Sequence, residues 1–484
     1  MSLNTSKAAA AERSQFNRMA REVPWPLPVK GLLSKAATAE INGQFTDNLH
    51  NIISDGISLE FRDGYEEQSA VAKQQRIPFE FGASPGYIEV TSTAVNFGAT
   101  TFTRACPVDI DHTEISANTV MADGAGAMFR FDGTSFVNCA FTTDTGKSDS
   151  EFDGVFSHQD RIYAWDSSEL EFYYGGVGAV TGALTRFPLS RLGNITGNIM
   201  IMNAVTINAA HGMNDVLAII TSTGWLILYE GLDPGDANDW RLLGRVKVAP
   251  PISSRAVISF GSDLWFMTKR GVVSVRDSLA RGAMALVSSI AKPISDMLVD
   301  EIRLSSNNAK WSIVAREDAD QVMINYPSGD TFRQYLLDIA SQSWQTTDYP
   351  AQWWHALNGN MEFTADDGTL QRLADGGDND ADITATLHTS WIRLGGEMEV
   401  AYIIPTIIGS GDLTVKITVL SDHADTAGDI TQAQQIVTIS PENPGTRVAL
   451  NEMIGVNVFG RVFQARFEIT GRNIRFEQLT AGIA

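Results

Sequence analysis

Residues Trp354–Leu373 read WHALNGNMEFTADDGTLQRL: three short, largely alternating runs separated first by Asn358-Gly359 and then by Asp367-Gly368. Asn-Gly and Asp-Gly reach the positive φ values that tight hairpins need, so this stretch predicts three consecutive antiparallel strands. The same grammar recurs upstream. Met128–Phe131 and Thr134–Val137 flank Asp132-Gly133, Val216–Thr221 and Trp225–Tyr229 flank Ser222-Thr223-Gly224, and Asp263–Thr268 and Val272–Arg276 flank Lys269-Arg270-Gly271. Trp165, Trp225, Trp265, Trp311 and Trp354 follow one another at intervals of 60, 40, 46 and 43. A period of about 40–50 residues with one meander per unit is the mark of a β-propeller blade, and roughly 300 residues at about 45 each predict six or seven blades. A large multi-sheet sandwich is the structural rival.

Working outward, the propeller is expected over residues 41–375, interrupted near 280–301 (ARGAMALVSSIAKPISDMLVDE), where apolar residues recur at a helical period around Pro293. That segment predicts a short helical insertion. Before it all, residues 1–40 predict an Ala-rich helix over 6–22 and then a proline-punctuated extended segment, Val23–Gly31 (VPWPLPVKG), either a linker or an arm whose Trp25 is a candidate contact with a neighbouring subunit. After the acidic linker Ala374–Asp382, seven short strands (383–394, 400–408, 413–420, 435–439, 446–450, 461–470 and 474–479) predict a C-terminal β-sandwich over 383–484. The expected class is all-β.

The 484 residues exceed what one core supports, and 44% hydrophobic with 19% charged residues describes a folded chain. Lys and Arg number 36 against 57 Asp and Glu, a net charge of −21. The excess is spread along the chain: 8 cations against 9 acids in residues 1–75, 21 against 35 in 76–375, and 7 against 13 in 376–484. Such a balance disfavours a protein that grips nucleic-acid phosphates. It also keeps a duplex from adhering to a surface that it slides past. Two cysteines, Cys106 and Cys139, without a CxxC predict free thiols rather than a metal or disulfide framework. The N-terminus lacks the apolar run of a signal peptide, and Asn198–Ala210 and Tyr402–Gly409 are too short to span a bilayer, which predicts a cytoplasmically made chain without membrane insertion.

No catalytic, cofactor-binding or metal-ligating constellation emerges, so the chain is expected not to be an enzyme and to carry no cofactor. Gly146-Lys147-Ser148 resembles the end of a phosphate loop, but Phe141 stands where its first glycine belongs. Gly176–Gly182 is one residue off the dinucleotide spacing and has no following helix to dock a pyrophosphate. Asp378-Asn379-Asp380-Ala381-Asp382 alternates oxygens like a calcium loop, yet Ile383 replaces the glycine of its sharp turn. Asp109-Ile110-Asp111-His112 offers ligand types and reads as surface. Thr364–Gly368 looks like part of a sialidase-type Asp-box turn. A glycosidase needs two carboxylates about 5–10 Å apart, which 57 acids neither supply by pattern nor exclude. Trp353-Trp354 is the candidate stacking platform for a sugar. In the C-terminal strands Arg461, Arg466, Arg472 and Arg475 alternate with Phe463, Phe467 and Phe476, a half-buried strand pattern.

Three stretches together resemble the tail-nozzle, or packaged-DNA stabilisation, proteins of short-tailed bacteriophages. They are Asp160–Trp165 running on through Leu170–Gly176 to Phe187; Phe260–Arg276 with the helix of 280–301 and Trp311–Tyr326; and the terminal strands from Trp391–Gly395 to Gly460–Ile469. The likeness covers about two thirds of the chain in order of elements. It implies a structural virion protein of the tail, a β-propeller assembling as a homohexameric ring below the portal and adaptor proteins. The ring would extend the DNA exit channel, retain packaged DNA, let double-stranded DNA pass without specific binding, and hold a needle or fibres. The alternatives are a propeller-fold glycan hydrolase and a carbohydrate- or receptor-binding protein.

Overall fold

The computed structural model describes residues 20–34, 43–81, 85–209, 212–281, 289–305, 310–421, 434–439 and 447–484. Strands dominate, and six sheets form propeller blades with simple up-and-down pairing. Blade 1 is Gln75–Phe79, Gly86–Val90, Ala94–Phe97 and Thr100–Thr103; blade 2 is Asp111–Ile115, Asn118–Ala122, Phe129–Phe131 and Phe136–Asn138. Blade 3 runs Gly154–His158, Arg161–Trp165, Glu171–Tyr174 and Gly182–Pro188, with Phe141–Thr143 added along its outer edge. Blade 4 is Ile199–Ala209, Gly212–Thr221, Trp225–Glu230 and Arg241–Lys247, and blade 5 is Val257–Phe260, Asp263–Thr268 and Gly271–Ser274. Blade 6 takes Ala351–Leu357, Asn360–Ala365 and Leu370–Ala374 from late in the chain and is completed by Gly64–Ser69 from its beginning. That shared sheet closes the ring.

From blade 1 to blade 5 the apolar face of each blade is buried against the next. Ile77, Phe79 and Ile88 of blade 1 pack with Met121, Phe129 and Phe131 of blade 2, while Val120 and Ala122 join Val155, Ile162 and Tyr173 of blade 3. Phe172 meets Leu217, Ile227 and Tyr229 of blade 4, whose opposite face packs Ile220 and Leu228 on Leu264, Phe266 and Val273 of blade 5. Each fully buried side chain of this size is worth about 1.5–3 kcal/mol. The seam between blade 6 and blade 1 is polar: Tyr87 donates to Glu362 at 2.7 Å and Arg76 donates to the Gly368 carbonyl at 2.8 Å.

The hairpin grammar holds where the loop is short. Leu357 pairs with Asn360 across Asn358-Gly359, whose φ values are +52° and +74°, and Thr268 pairs with Gly271 across Lys269-Arg270. At Asp132-Gly133 the connection is longer, because Phe131 pairs with Phe136 and Asp132 Oδ1 accepts the amides of Thr134 and Ser135. The five tryptophans are not equivalent positions of a repeat. Trp165 and Trp265 lie on second strands, Trp225 on a third, Trp354 on a first and Trp311 before a strand.

Between blades 5 and 6 the ring takes in Ser312–Arg316, Gln321–Ser328, Thr331–Asp338 and Ser343–Thr347, the edge of a 13-stranded sheet. This sheet continues through Leu49–His50 and Ile383–His388 into the C-terminal β-sandwich. There, among the described residues, the seven short strands expected from the sequence are corrected to five, two of them 30 residues long: Ile392–Ser421 and Ile454–Ile483. Gly409 and Gly471, which fall between the expected strands, lie inside these long ones, where a Cβ would strike the Ile474 side chain. Their smallness serves a close crossing rather than a chain reversal.

Three expectations at the edges change. Residues 6–19 of the expected N-terminal helix lie outside the described residues, and Arg21 and Glu22 belong to a strand, Arg21–Pro24, that pairs with the end of the last strand. Trp25, 2% exposed, is buried in the core of its own chain, so the arm is not free for a neighbouring subunit in the way expected. Leu49–His50, Ile52–Ser54 and Leu59–Phe61 pair with the C-terminal strands or with each other, which moves the start of the propeller from residue 41 to Gly64. The helical insertion is present and wider than 280–301: Val275–Arg281 and Ser295–Ser305 are α-helical, Ser289–Ile294 is a 3-10 turn containing Pro293, and 282–288 lie outside the described residues. Ile294, Leu298 and Ile302 pack it into the core shared with Trp311 and Trp344.

Candidate functional site

The first strands of blades 2 to 5 line a cavity of about 380 Å³ on the propeller side of the molecule, bounded by Asp111, His112, Val155, Asn203 and Arg255. It opens into a wider vestibule of about 900 Å³ that shares Asp109, Asp153 and Ser254 with it and adds Asp123, Glu151, Asp166, Lys310 and Gln352. The first strands of blades 2 to 4 and the loops and turns beside them supply these side chains, since the first strand of each propeller blade lines the axis. The candidate site is therefore the mouth of this cavity.

Arg255 is its centre. Its Nη2 donates to Asp109, and its guanidinium lies over the Trp353 ring with 3.3 Å to the centroid. Burial pulls the Arg255 pKa down and Asp109 and Asp111 only partly restore it. Asp111 accepts the Val155 amide at 2.9 Å and the His112 amide at 3.1 Å. Both Asp111 and His112 are open to the cavity, yet the surrounding strands desolvate them: the Asp111 carboxyl is pushed up to about 6, and the His112 imidazole is pushed down to about 4. Around the rim, Asp123 takes Arg104 with both oxygens, at 2.7 and 2.8 Å, and Asp166 takes Lys147 at 2.7 Å. Asp153 accepts the Ser167 amide at 2.7 Å. The mouth is thus acidic, with most of its carboxylates already answered by a cation or amide of the same chain.

The sequence candidates resolve differently. Asp109, Asp111 and His112 do come to the mouth, with Asp109 bound to Arg255 and not to a metal-ligand partner. Asp378 chelates Arg62 at 2.8 and 2.7 Å, and Arg472 reaches Asp382 at 2.7 Å and also Asp380, so the calcium-like run is occupied by guanidinium groups. Among the described residues no group of three His, Cys, Asp or Glu side chains is placed to hold a metal ion. Lys147 of the phosphate-loop lookalike sits between Asp166 and Glu169, at 2.7 and 2.8 Å, and Ser148 caps the 3-10 turn Asp149–Glu151 with a capping box. Gly176–Gly182 is the loop between two strands of blade 3, and Thr364–Gly368 is the last hairpin of blade 6. Trp353 is covered by Arg255 and Trp354 packs on Tyr349 and Phe363, so neither ring is the open platform expected. Phe463, Phe467 and Phe476 are buried, while Arg472 and Arg475 point outward to Asp382 and Glu60. Cys106 and Cys139 are buried free thiols, and burial pushes the Cys139 thiol up to about 12.

Arg255 escaped the sequence reading. Its partners Asp109 and Trp353 lie about a hundred or more residues away on either side, and no local spacing announces it.

The fold and its mouth define an acidic β-propeller protein carrying a C-terminal β-sandwich. No family model and no curated protein matches the chain. Among solved structures, a Bacteroides fragilis protein designated as exported is 10% identical at a TM-score of 0.34, over 64% of this chain and 98% of that one. The β-propeller domain of Nup133 from Vanderwaltozyma polyspora is 9% identical at a TM-score of 0.30, over 58% and 89%. BBS1N in complex with ARL6DN is 10% identical at 0.27, over 45% and 74%. Likenesses of this size speak to neither activity nor partner.

Proposed function

We propose that this chain is a structural virion protein, the tail nozzle or hub of a short-tailed bacteriophage. It forms a ring, taken as a hexamer, below the portal and adaptor proteins, where it extends and closes the DNA exit channel, retains packaged DNA and lets it pass during ejection. A needle or fibres attach to it.

One observation carries this reading beyond the order of sequence elements: the placement of charge. Arg62, Arg104, Lys147, Arg161, Arg255, Arg316, Arg372 and Arg472 are all engaged by carboxylates of the same chain. The excess of 21 negative charges is left largely to the surface. A surface with that net charge repels a polyanion on the whole, which suits a wall that DNA must pass without sticking. Rings of this kind are made by heterologous contacts that close by rotation.

The test is negative-stain electron microscopy of the purified chain at several concentrations, alone and with the adaptor ring, together with antibody labelling of virions. Rings with a central hole and label at the tail tip are expected. Discrete monomers under all conditions, with no label on tails, would overturn the proposal in favour of the glycan-directed alternatives.

A further inference from the structure

Every blade ends in an outer strand whose free edge can pair with another chain unless something prevents it. In blades 1, 2 and 3 those strands, Thr100–Thr103, Phe136–Asn138 and Phe141–Thr143, carry no charged residue. Two others are charged, with opposite sign. The outer strand of blade 4, Arg241–Lys247 (RLLGRVK), exposes Arg241, Arg245 and Lys247, together with Leu242 at 39% and Leu243 at 43%. Arg241 is offset by Glu230, but Arg245 donates to the carbonyls of Leu192 and Gly193 and Lys247 to that of Thr223, so these two positive charges have no acidic partner among the described residues. In the strand that closes blade 6, Gly64–Ser69 (GYEEQS), Tyr65 already exchanges backbone hydrogen bonds with Gly377 and Asn379, so the edge is free only from Glu66 onward; there it exposes Glu66 and Glu67, and neither has an ion-pair partner among the described residues. These two edges stand on opposite flanks of the ring, with blades 1 to 3 between them on one side and blade 5 and the large sheet on the other.

We infer that copies of this chain join head to tail, with the Arg241–Lys247 edge of one lying along the part of the blade 6 edge that stays free, Glu66–Ser69, of the next. Like-charged edges repel when either strand meets its own copy, whereas the unlike pair attracts, so the charges exclude the two-fold contacts and leave the heterologous one. Exposed Leu242 and Leu243 supply apolar area for it to bury. The occupant is a second copy because the two edges of one chain are complementary, basic on blade 4 and acidic on blade 6. This contact rests on the ring reading proposed above and names the surface through which the ring is built.

The experiment measures the mass of the full-length protein by light scattering over a concentration series at low salt. Three variants accompany it: Arg245→Glu with Lys247→Glu, Glu66→Lys with Glu67→Lys, and all four changes together. Either pair alone is expected to weaken assembly at least tenfold, added salt to do so for the unchanged protein, and the fourfold variant to recover assembly because the charges have changed places. A variant that lost assembly by unfolding would not be rescued by two further substitutions. If the unchanged chain forms rings and neither reversal affects them, the contact is wrong and the ring reading stands. If the unchanged chain stays monomeric, alone and with the adaptor ring, the ring reading falls and the contact falls with it.

Discussion

Arg62 is 2% exposed, and every one of its donors is used: Nε on Asn51 at 2.9 Å, Nη1 on the Asp63 carbonyl and Asp378, Nη2 on Asp348 and Asp378, with its face over Tyr349 at 4.2 Å. Burial alone would lower its pKa, but the hydrogen bond to Asp378 and the neighbouring charges raise it overall. Removing one member of such a set strands the others, which costs about 3–5 kcal/mol. Arg62→Met is therefore expected to lose that much in urea unfolding, and a loss under 1 kcal/mol would show that the network is wet and weak. His355 makes the opposite case. It is 5% exposed and bonded to Thr364 at 2.9 Å, and burial, with Arg76 and His112 nearby, pushes its pKa down to about 3. An unfolded chain takes up this proton from pH 6.5 downward while the folded one refuses it, so stability is intact above pH 6.5 and falls by about 1.4 kcal/mol per unit from this group as pH drops toward 3. Urea midpoints of His355→Gln should follow a shallower acid limb than the unchanged protein; parallel limbs would refute the assignment. Neither residue was legible, because the acids at 378–382 are visible in sequence but the guanidinium they hold is 316 positions away.

At the scale of elements, the hairpins were legible because their signals are local. Asn358-Gly359 specifies its own turn, and the strands either side follow from alternation. Closure of the ring was not, since Gly64–Ser69 meets Leu370–Ala374 across some three hundred residues of chain. Gly64 fits there because a Cβ would fall 2.1 Å from the Gly377 carbonyl oxygen. Gly64→Ala is expected to separate closing strand from linker and cost about 2 kcal/mol or more, read as a lowered melting temperature and faster amide exchange confined first to blade 6. Uniform exchange across all blades would mean that the ring does not depend on this latch. The same limit explains the misplaced boundary at residue 41: Leu49–Phe61 has strand grammar, and grammar does not say which sheet a strand joins.

The whole molecule is not a propeller tethered to a sandwich. One sheet of 13 strands runs from the ring into the C-terminal sandwich, and one core gathers Trp25 from the arm, Trp265 from blade 5, Ile294 from the insertion and Phe467 from the last strand. Shared cores unfold together, so differential scanning calorimetry should give a single transition whose van't Hoff and calorimetric enthalpies agree. Two resolved peaks would mean that the ring and the sandwich are separable after all. What the sequence determined by itself was everything set by neighbours a few residues apart: strands, tight turns, the all-β class, the approximate blade number, the helical insertion and the unbalanced charge. Which strand closes the ring, which sheet the arm and the first strands join, which arginine occupies each acidic cluster and which edges remain free were decided only in the tertiary structure. Those pairings span up to hundreds of residues, and their energy comes from burying specific groups against one another, which no local pattern records.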